Sequence, residues 1–311
     1  LPILIQRLWE ARDKAKKKKD QIASMALKTT MNSFWGALAS PNCRYYNFDM
    51  AESITGSARF IIKTTMQKIK EMGYEVIYGD TDSIFINLDV KTDKEAEKIG
   101  RKIQEDINAY FQKYVEENYN MKSFLELEFE KVYVRFLMPK VRGGEAGAKK
   151  RYAGLRMKDG KEKMEFTGLE FVRRDWTDLS KKFQLALLDK IFHKQEVAVF
   201  IKKFVDDLKK GKFDDLLVYK KAIRKDLEGY TKTTPPHVKA ARKMKSLPSN
   251  IIHYVMTDDG PEPIQMLKHK IDYDHYIEKQ IKPIADSVLG FYGQKFDDVL
   301  ANSTQKTLFG F

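Results

Sequence analysis

Cysteine and long apolar runs are what this sequence most clearly lacks. Cys43 is the single cysteine among 311 residues, which excludes an internal disulfide and any zinc site built from several cysteines. We therefore expect an intracellular, reducing compartment. The longest apolar stretches, such as residues 197–201, fall far short of the ~20 residues that a membrane-spanning helix needs, so a soluble chain is expected.

Negative charge is also in short supply. The chain has 57 lysines and arginines against 44 aspartates and glutamates, a formal net charge of +13, and its isoelectric point is about 9.4. Such a surplus is typical of proteins that bind nucleic acid, anionic membranes or acidic proteins. The basic residues alternate with aromatic ones, as in residues 149–152, and do not gather on one helix. This spread favours nucleic acid.

A starting methionine and a leader segment are missing as well. The sequence begins at Leu1, which predicts an excised or processed piece of a longer protein and not a secreted precursor. With 42% hydrophobic residues, a chain of this length is expected to form about two domains with buried cores.

Hydrophobic periodicity predicts an α+β fold. Helices are expected as two short ones within residues 1–31, a longer one over residues 47–72, and a fourth behind the capping box of Thr92 and Glu95. From Arg173 onward the pattern becomes helical, with a last helix over residues 277–291.

Strands are expected in the middle of the chain. The segments with strand character are residues 75–78, 83–88, 125–130, 149–156 and 163–170. The first two form a hairpin around a polar turn. Residues 125–130 alternate strictly, so that strand would have one apolar and one acidic face.

Two carboxylates lie at the turn of this hairpin, in the segment Gly79-Asp80-Thr81-Asp82. Hard divalent cations prefer carboxylate oxygens, and a tight turn presents such groups rigidly. The alternative is that Asp-Thr-Asp is ordinary turn chemistry. The turn alone leaves both interpretations open.

Basic side chains recur at helical spacing near the start of the chain. Lys28 and Asn32 lie one turn apart on a helix, so an ammonium and an amide face a triphosphate or a sugar together. Arg12 and Lys16 repeat this spacing on the preceding helix. The alternative is a solvated charged face.

Four motifs in one order resemble those of a known family. Residues 27–36, LKTTMNSFWG, resemble the fingers motif of family B DNA polymerases, and residues 78–83, YGDTDS, are similar to their second palm carboxylate motif. Residues 149–154, KKRYAG, look like their duplex-binding motif, and residues 168–176 look like the start of their thumb. Each motif alone is weak, whereas four in order are specific.

The resemblance implies an architecture of fingers, palm and thumb, with the bacterial branch of the family most similar. It places a fingers helix pair at residues 1–36, the distal palm, an antiparallel sheet with packed helices, at residues 37–168, and a mostly helical thumb at residues 169–301. A C-terminal clamp-binding tail would follow at residues 302–311.

The implied activity is DNA-templated DNA polymerisation, in replication or repair. A primer 3′-hydroxyl would attack a deoxynucleoside triphosphate (dNTP), assisted by two magnesium ions. Asp82 would be the principal catalytic metal ligand, with Asp80 beside it. Glu128, on the acidic face of its strand, is either a further ligand or a solvent-facing residue.

The same resemblance implies binding roles. Arg12, Lys16 and Lys28 would clamp the incoming triphosphate, and Asn32 and Trp35 would form the wall against the nascent base pair. Trp35 stands where most relatives have tyrosine, so this position lacks the hydroxyl that a tyrosine would supply.

DNA contacts are implied for two basic segments. Lys149, Lys150, Arg151 and Tyr152 would lie along the primer–template duplex, and Arg173 and Arg174 would hold the primer strand. In the tail, Gln305, Leu308, Phe309 and Phe311 resemble a clamp-binding peptide, of either the bacterial or the archaeal and eukaryotic type.

The family's other palm aspartate motif and its exonuclease are not found in residues 1–311. The resemblance therefore predicts a C-terminal portion that is inactive without an N-terminal polymerase portion, on the same or another chain. Its partners would be primer–template DNA, dNTPs and a sliding clamp, in the cytoplasm at the nucleoid. The alternative is a non-catalytic module that binds DNA and tethers a clamp.

Overall fold

The computed structural model describes residues 2–140, 147–231, 234–244, 246 and 249–301. The chain divides into two compact units, Leu1–Glu130 and Lys131–Phe311. Their boundary falls inside the segment predicted as distal palm, and the functional domain limits remain predictions. Among the described residues, no helix combines the length and the apolar character that crossing a membrane requires.

The first unit begins with three helices. Helices α1 (Pro2–Lys17) and α2 (Gln21–Ala39) pack against each other across a short charged turn, as predicted, although α2 continues well past residue 31. Asp20 caps α2 by accepting a hydrogen bond from the backbone N–H of Ala23 at 3.0 Å. Helix α3 (Phe48–Glu71) is capped in the same way by Asn47.

A hairpin and a long helix complete the first unit. Strands β1 (Glu75–Asp80) and β2 (Ser83–Asn87) pair antiparallel, and helix α4 (Asp93–Tyr119) follows. Thr92 caps α4 by accepting from the N–H of Glu95 at 3.2 Å, which confirms the N-cap half of the predicted capping box. The core of this unit is formed by Ile69, Ile103, Ile107 and Phe111.

The strand predicted at residues 125–130 is wrong. The alternation is present, since Leu125 and Leu127 pack on the core of the first unit while the glutamates are exposed. The backbone, however, pairs with side chains of α4. The side-chain amide of Asn108 donates to the carbonyl of Leu127 at 2.9 Å and accepts from its N–H at 2.8 Å. Because a side-chain amide can satisfy the backbone groups that a neighbouring strand would otherwise bond, alternation alone did not imply a strand.

A three-stranded antiparallel sheet opens the second unit. Strands β3 (Arg135–Leu137), β4 (Tyr152–Lys158) and β5 (Lys161–Thr167) lie in that order. The β4–β5 turn is made by Asp159 and Gly160, both with positive φ, as expected for an Asp-Gly hairpin. These strands agree with the strand character predicted on either side of that turn.

The remainder of the second unit mixes helices with a second sheet. Its elements are α5 (Asp178–Phe192), α6 (Val197–Lys209), β6 (Tyr219–Ala222), α7 (Pro236–Arg242), β7 (Ile251–Thr257) and β8 (Gly260–Pro263). Strands β6, β7 and β8 form an antiparallel sheet in that order. This sheet lies in the segment predicted as mostly helical, and its short strands escaped the sequence analysis. The α+β class is confirmed.

One helix near the end of the chain changes its pitch. It runs through α8 (Tyr273–Tyr276), a π-helical turn (Ile277–Ile281) and α9 (Lys282–Leu289), before α10 (Phe296–Ala301). Buried pairs recur every four residues, at 276/277, 280/281, 284/285 and 288/289. In an α-helix each such step overshoots a turn by about 40°, or about 120° over three steps. The π-helical turn absorbs this drift with roughly one extra residue.

Burial is uneven between the two units. Among the described residues, most fully buried apolar side chains belong to the second unit, whereas most large apolar side chains that remain exposed belong to the first. Tyr45, Phe48 and Ile22 are examples, exposed at 70%, 60% and 85%. The first unit therefore has a small core for its length.

Candidate functional site

Asp80 and Asp82 lie at the tip of the β1–β2 hairpin, where the sequence predicted them. The N–H of Asp82 donates to the carbonyl of Asp80 at 2.6 Å across Thr81, which has φ +56°. A β-branched residue with positive φ is unfavourable and is found mainly where the structure enforces it, often at functional sites. The turn thus presents two carboxylates in a fixed arrangement, with Asp80 half-buried and Asp82 exposed.

Helix α3 packs against the hairpin, and a β-bulge changes the direction of its first strand. Val76 pairs with Ile86 and Tyr78 with Phe85, so Ile77 is an extra residue in β1. Such bulges bend a strand and redirect its end. Gly79 lets α3 approach, because a Cβ at this position would lie 3.0 Å from the sulfur of Met66.

Hydroxyl groups hold the two carboxylates. Thr81 donates to Asp80 at 3.3 Å, and Ser83 donates to Asp82 at 3.4 Å. Oxygen donors of this kind fit Mg²⁺, which proteins bind through one or two carboxylates together with substrate phosphates. In the described part of the chain, Glu128 does not join Asp80 and Asp82 in a three-ligand group with all ligand atoms within 4.8 Å.

A cleft between α1 and α2, called here the α1–α2 cleft, has a volume of about 510 Å³. It brings together the predicted triphosphate ligands Arg12, Lys16 and Lys28. The other lining residues are Lys19, Asp20, Gln21, Ser24 and Met25. Four lining residues are cations, namely Arg12, Lys16, Lys19 and Lys28. None of them forms an ion pair with another described residue.

Local structure explains why this cleft is cationic. Lys19 takes a left-handed conformation, φ +58°, which closes the turn and brings the first turn of α2 to the cleft. The positive end of a helix dipole adds to the lysine charges there. Asp20, the only carboxylate among the lining residues, accepts from that same helix end. The Nε of Arg12 is buried and has no hydrogen-bond partner among the described residues.

Asn32 and Trp35 extend along α2 beyond this cleft. Both lie outside its lining residues, and both are exposed, Trp35 at 45%. The indole N–H of Trp35 donates to the carbonyl of Ala51 in α3 at 3.4 Å. The indole of Trp35 is thus linked to α3.

The predicted duplex-binding segment has two exposed residues followed by two partly buried ones. Lys149 and Lys150 are exposed, and Lys150 has φ +59°. Arg151 forms an ion pair with Glu170, which is only 1% exposed. Tyr152 packs against Phe136 with the rings tilted and their centroids 5.3 Å apart.

Glu170 anchors this region from inside the second unit. Besides Arg151, it accepts a hydrogen bond from the side-chain amide of Gln184 at 2.8 Å. Gln184 in turn accepts from the N–H of Phe171 at 2.6 Å. The network joins β4 to α5, so Arg151 holds the sheet against the helix while its charge is compensated.

Arg173 is also held by a carboxylate. Its guanidinium donates two hydrogen bonds to Asp175, at 2.9 and 2.6 Å. These bonds lower the pKa of Asp175. Arg174 is exposed beside this pair.

A second cleft, called here the Trp176 cleft, has a volume of about 580 Å³ in the second unit. It unites the predicted DNA ligands Lys149, Arg151 and Arg173. The further lining residues are Ala148, Asp175, Trp176 and Gln280. Sequence analysis missed Trp176 and Gln280, as it missed Lys19 in the first cleft. Trp176 follows Arg173 in the thumb motif, but no local signal marked Gln280.

Another cluster of titratable groups lies near β8. Asp259, Glu262 and His269 bring their ligand atoms within 4.8 Å of one another. Lys243 pairs with both carboxylates, at 3.2 and 3.4 Å, so an internal cation already balances this cluster.

The predicted clamp ligands Gln305, Leu308, Phe309 and Phe311 lie outside the described residues.

Comparison with known proteins identifies the family of this chain. The sequence profile of DNA polymerase family B matches residues 3–289. The chain is 39% identical over 308 residues to DNA polymerase II of Escherichia coli strain K12, covering 95% of this chain and 39% of that protein. It is 30% identical over 342 residues to a DNA polymerase of Desulfurococcus strain Tok, covering 100% of this chain and 41% of that protein.

A solved structure is similar as well. The family B DNA polymerase from the hyperthermophilic archaeon Pyrobaculum calidifontis superposes with a TM-score of 0.60 at 28% identity, covering 98% of this chain and 38% of that one. The chain thus spans about two fifths of the length of these relatives. Because the family profile matches nearly all of it, the chain belongs to DNA polymerase family B.

Proposed function

We propose that this chain supplies the fingers, distal palm and thumb of a DNA-templated DNA polymerase. The reaction is nucleotidyl transfer from a dNTP to a primer 3′-hydroxyl. The observation that carries the proposal is the rigid hairpin tip bearing Asp80 and Asp82, in the same compact unit as the α1–α2 cleft. Carboxylates for metal ions and unpaired cations for phosphates are the two parts that phosphoryl transfer needs.

Asp80 and Asp82 are the residues that would hold magnesium. Bound there, the metal would neutralise charge that develops on the transferring phosphoryl group. The chain's own contribution is orientation, because Thr81 and Ser83 donate hydrogen bonds to the carboxylates. Groups that are already oriented need no reorganisation during the reaction.

The α1–α2 cleft would bind the triphosphate. Arg12, Lys16 and Lys28, joined by Lys19, present four positive charges to one ligand. Electrostatic stabilisation of the phosphates favours both binding and transfer. Asn32 and Trp35, exposed farther along α2, would contact the nascent base pair.

The second unit would hold the duplex. Lys149, Lys150, Arg173 and Arg174 are exposed and suit contacts with DNA phosphates, while Arg151 and Tyr152 support them from the sheet. Phosphate contacts position DNA without reading its sequence, which a general polymerase requires.

Two partners complete the proposal. The relatives are more than twice as long as this chain, and an N-terminal polymerase portion, on the same or another chain, would add a further carboxylate to the metal site. Residues 305–311 would bind a sliding clamp, which raises the effective concentration of the enzyme on DNA.

The test is primer extension with magnesium and all four dNTPs. The chain is assayed alone and with an N-terminal portion of a family B polymerase. Asp82→Asn is expected to abolish extension, since it removes a metal ligand. Asp89→Asn, which changes an exposed carboxylate just after β2, serves as the matched control and is expected to retain activity.

The outcomes separate two functions. Extension that requires both the N-terminal portion and Asp82 supports the proposal. Duplex binding without extension in either mixture contradicts it, and favours the non-catalytic module that binds DNA and tethers a clamp.

A further inference from the structure

Gln280 is a buried amide at the Trp176 cleft. It is 6% exposed and lies within the π-helical turn. It also lines the cleft together with Lys149, Arg173 and Trp176. Buried polar side chains are normally fully engaged, so its partners indicate its role.

The side-chain oxygen of Gln280 accepts three hydrogen bonds. The N–H and the hydroxyl of Thr177 donate to it at 3.1 and 2.9 Å, and the hydroxyl of Ser180 donates at 3.1 Å. Thr177 precedes the first residue of α5 and directly follows Trp176. Gln280 therefore fixes the end of the 173–177 segment, across about a hundred residues of sequence.

The amide nitrogen of Gln280 is engaged as well. It donates a long hydrogen bond, 3.4 Å, to the carbonyl of Lys279, and the side chain also hydrogen-bonds the buried Tyr219. Both ends of this side chain are therefore used within the protein, which suits a positioning role and not direct contact with a ligand.

The walls of the cleft suit a phosphate and an adjoining planar group. Two arginines of the cleft are paired, Arg151 with Glu170 and Arg173 with Asp175, and Lys149 adds a further positive charge. Each guanidinium is fixed by its own carboxylate, so neither must be ordered when an anion binds. Trp176 packs on the core of the second unit and also lines the cleft, offering a surface for stacking or sugar contact.

We propose that Gln280 is the positioning residue that holds Arg173 and Trp176 in place for contact with the duplex. It would act through Thr177, which it fixes at the end of the 173–177 segment. This inference rests on the proposed function, and it adds a residue that acts from a distant part of the sequence.

A double-mutant cycle with Gln280→Met and Arg173→Gln tests the proposal in the full chain. Dissociation constants for a labelled primer–template duplex are measured over a range of salt concentrations. Each single variant is expected to weaken binding about tenfold, and to lower the slope of log affinity against log salt by about 0.9, the value for one phosphate contact. Gln294→Met, a half-buried glutamine of the same unit outside this cleft, is expected to bind like the wild type.

The double variant distinguishes positioning from independent support. If Gln280 acts through Arg173, the double variant binds within about twofold of the weaker single variant. Losses that multiply to about a hundredfold would overturn the positioning role. An unchanged salt slope in the Arg173 variant would contradict contact between Arg173 and a DNA phosphate. Failure of the wild type to bind DNA in a salt-dependent way would instead contradict the proposed function.

Two further variants keep the test decisive. If Gln280→Met does not fold, Thr177→Val removes one donor to Gln280 without removing the glutamine, and a lower salt slope is again expected. Trp176→Phe is expected to remove most of the change in tryptophan fluorescence on duplex binding. A full change in that variant would exclude contact between the nucleotide and Trp176.

Discussion

Lys28 shows how one side chain's position on α2 defines a testable role. It lines the α1–α2 cleft and is exposed, without an ion pair among the described residues. A hydrogen bond to a charged group contributes about 1.5 kcal/mol. We expect Lys28→Met to raise KM for dNTPs roughly tenfold in the reconstituted extension assay, whereas duplex affinity stays unchanged.

Lys18→Met is the control for that variant. Lys18 is exposed in the turn between α1 and α2 but does not line the cleft, so normal nucleotide kinetics are expected. Equal KM values for Lys28→Met and the wild type would contradict a role for Lys28 in triphosphate binding.

The cluster near β8 gives a pH dependence. Hydrogen bonds, first from the N–H of Lys268 and then from His269, lower the pKa of Glu262 from 4.5 to about 2. The side chain of Glu262 raises the pKa of His269 above 6.5. Asp258 and Asp259 raise it as well, and Lys243 pairs with Asp259 and Glu262.

The stabilising effect of this pair therefore has two limits. The contribution of Glu262 is present above pH 4.5 and is lost as pH falls toward 2. The contribution of His269 is complete below pH 6.5 and is lost as pH rises through its raised pKa. In Glu262→Gln, we expect the His269 pKa to fall back toward 6.5 in an NMR titration; an unaltered titration would refute the pairing.

Residue-level chemistry could be predicted only where it is local. Asp80 with Asp82, and Arg12 with Lys16, were predicted because a turn or a helical step sets their spacing. The role of Gln280 depends on Thr177, far away in the sequence, and Arg151 is held by Glu170 across a sheet. Such pairings follow from tertiary packing, which no local pattern encodes.

At the scale of elements, Gly168 marks a close approach. It has φ +62°, and a Cβ there would collide with the carbonyl oxygen of Lys150. We expect Gly168→Ala to lower the free energy of unfolding by more than about 2 kcal/mol, from strain and collision together, measured by urea denaturation.

Gly160→Ala is the matched control for the collision. Its φ is +72°, yet no atom lies within 4 Å of a Cβ built there. It is expected to lose only about 1 kcal/mol, from the left-handed backbone conformation alone. Equal losses in both variants would show that the contact with Lys150 does not matter.

The extended segment at residues 125–130 depends on side chains of α4. Asn108→Leu would leave both backbone groups of Leu127 without their partner, and we expect a loss of about 1–3 kcal/mol with faster amide exchange at Leu127. Asn118→Leu, on the exposed end of the same helix, is expected to change little. Unchanged exchange at Leu127 would contradict this account.

Elements were predictable where their signals were strong and local. The β1–β2 hairpin and the cap at Thr92 are examples. Strands β6 and β8 were missed because each has only four residues and because β8 contains two prolines, which usually argue against a strand. Pro263 is tolerated because β8 is an edge strand of its sheet.

At the scale of the whole molecule, the clamp-binding role of the chain's end can be tested separately from primer extension. Deleting residues 302–311 is expected to leave extension of short primers unchanged and to remove stimulation by a sliding clamp, since only clamp contact would be lost. Replacing those residues with a Gly/Ser segment of equal length serves as the control for chain length. Stimulation that survives both changes would refute the clamp-binding role.

The uneven burial of the two units also bears on synthesis by the ribosome. The first unit emerges before the second, yet it holds the smaller core and the larger share of exposed apolar side chains. At about 5–20 residues per second, translation of residues 131–311 lasts roughly 10 to 40 s. The faces that carry Ile22, Tyr45 and Phe48 are open to chaperones and to other nascent chains during that time, and they stay exposed in the folded chain. Aggregation, during translation and after it, is therefore the hazard that expression of this chain has to manage.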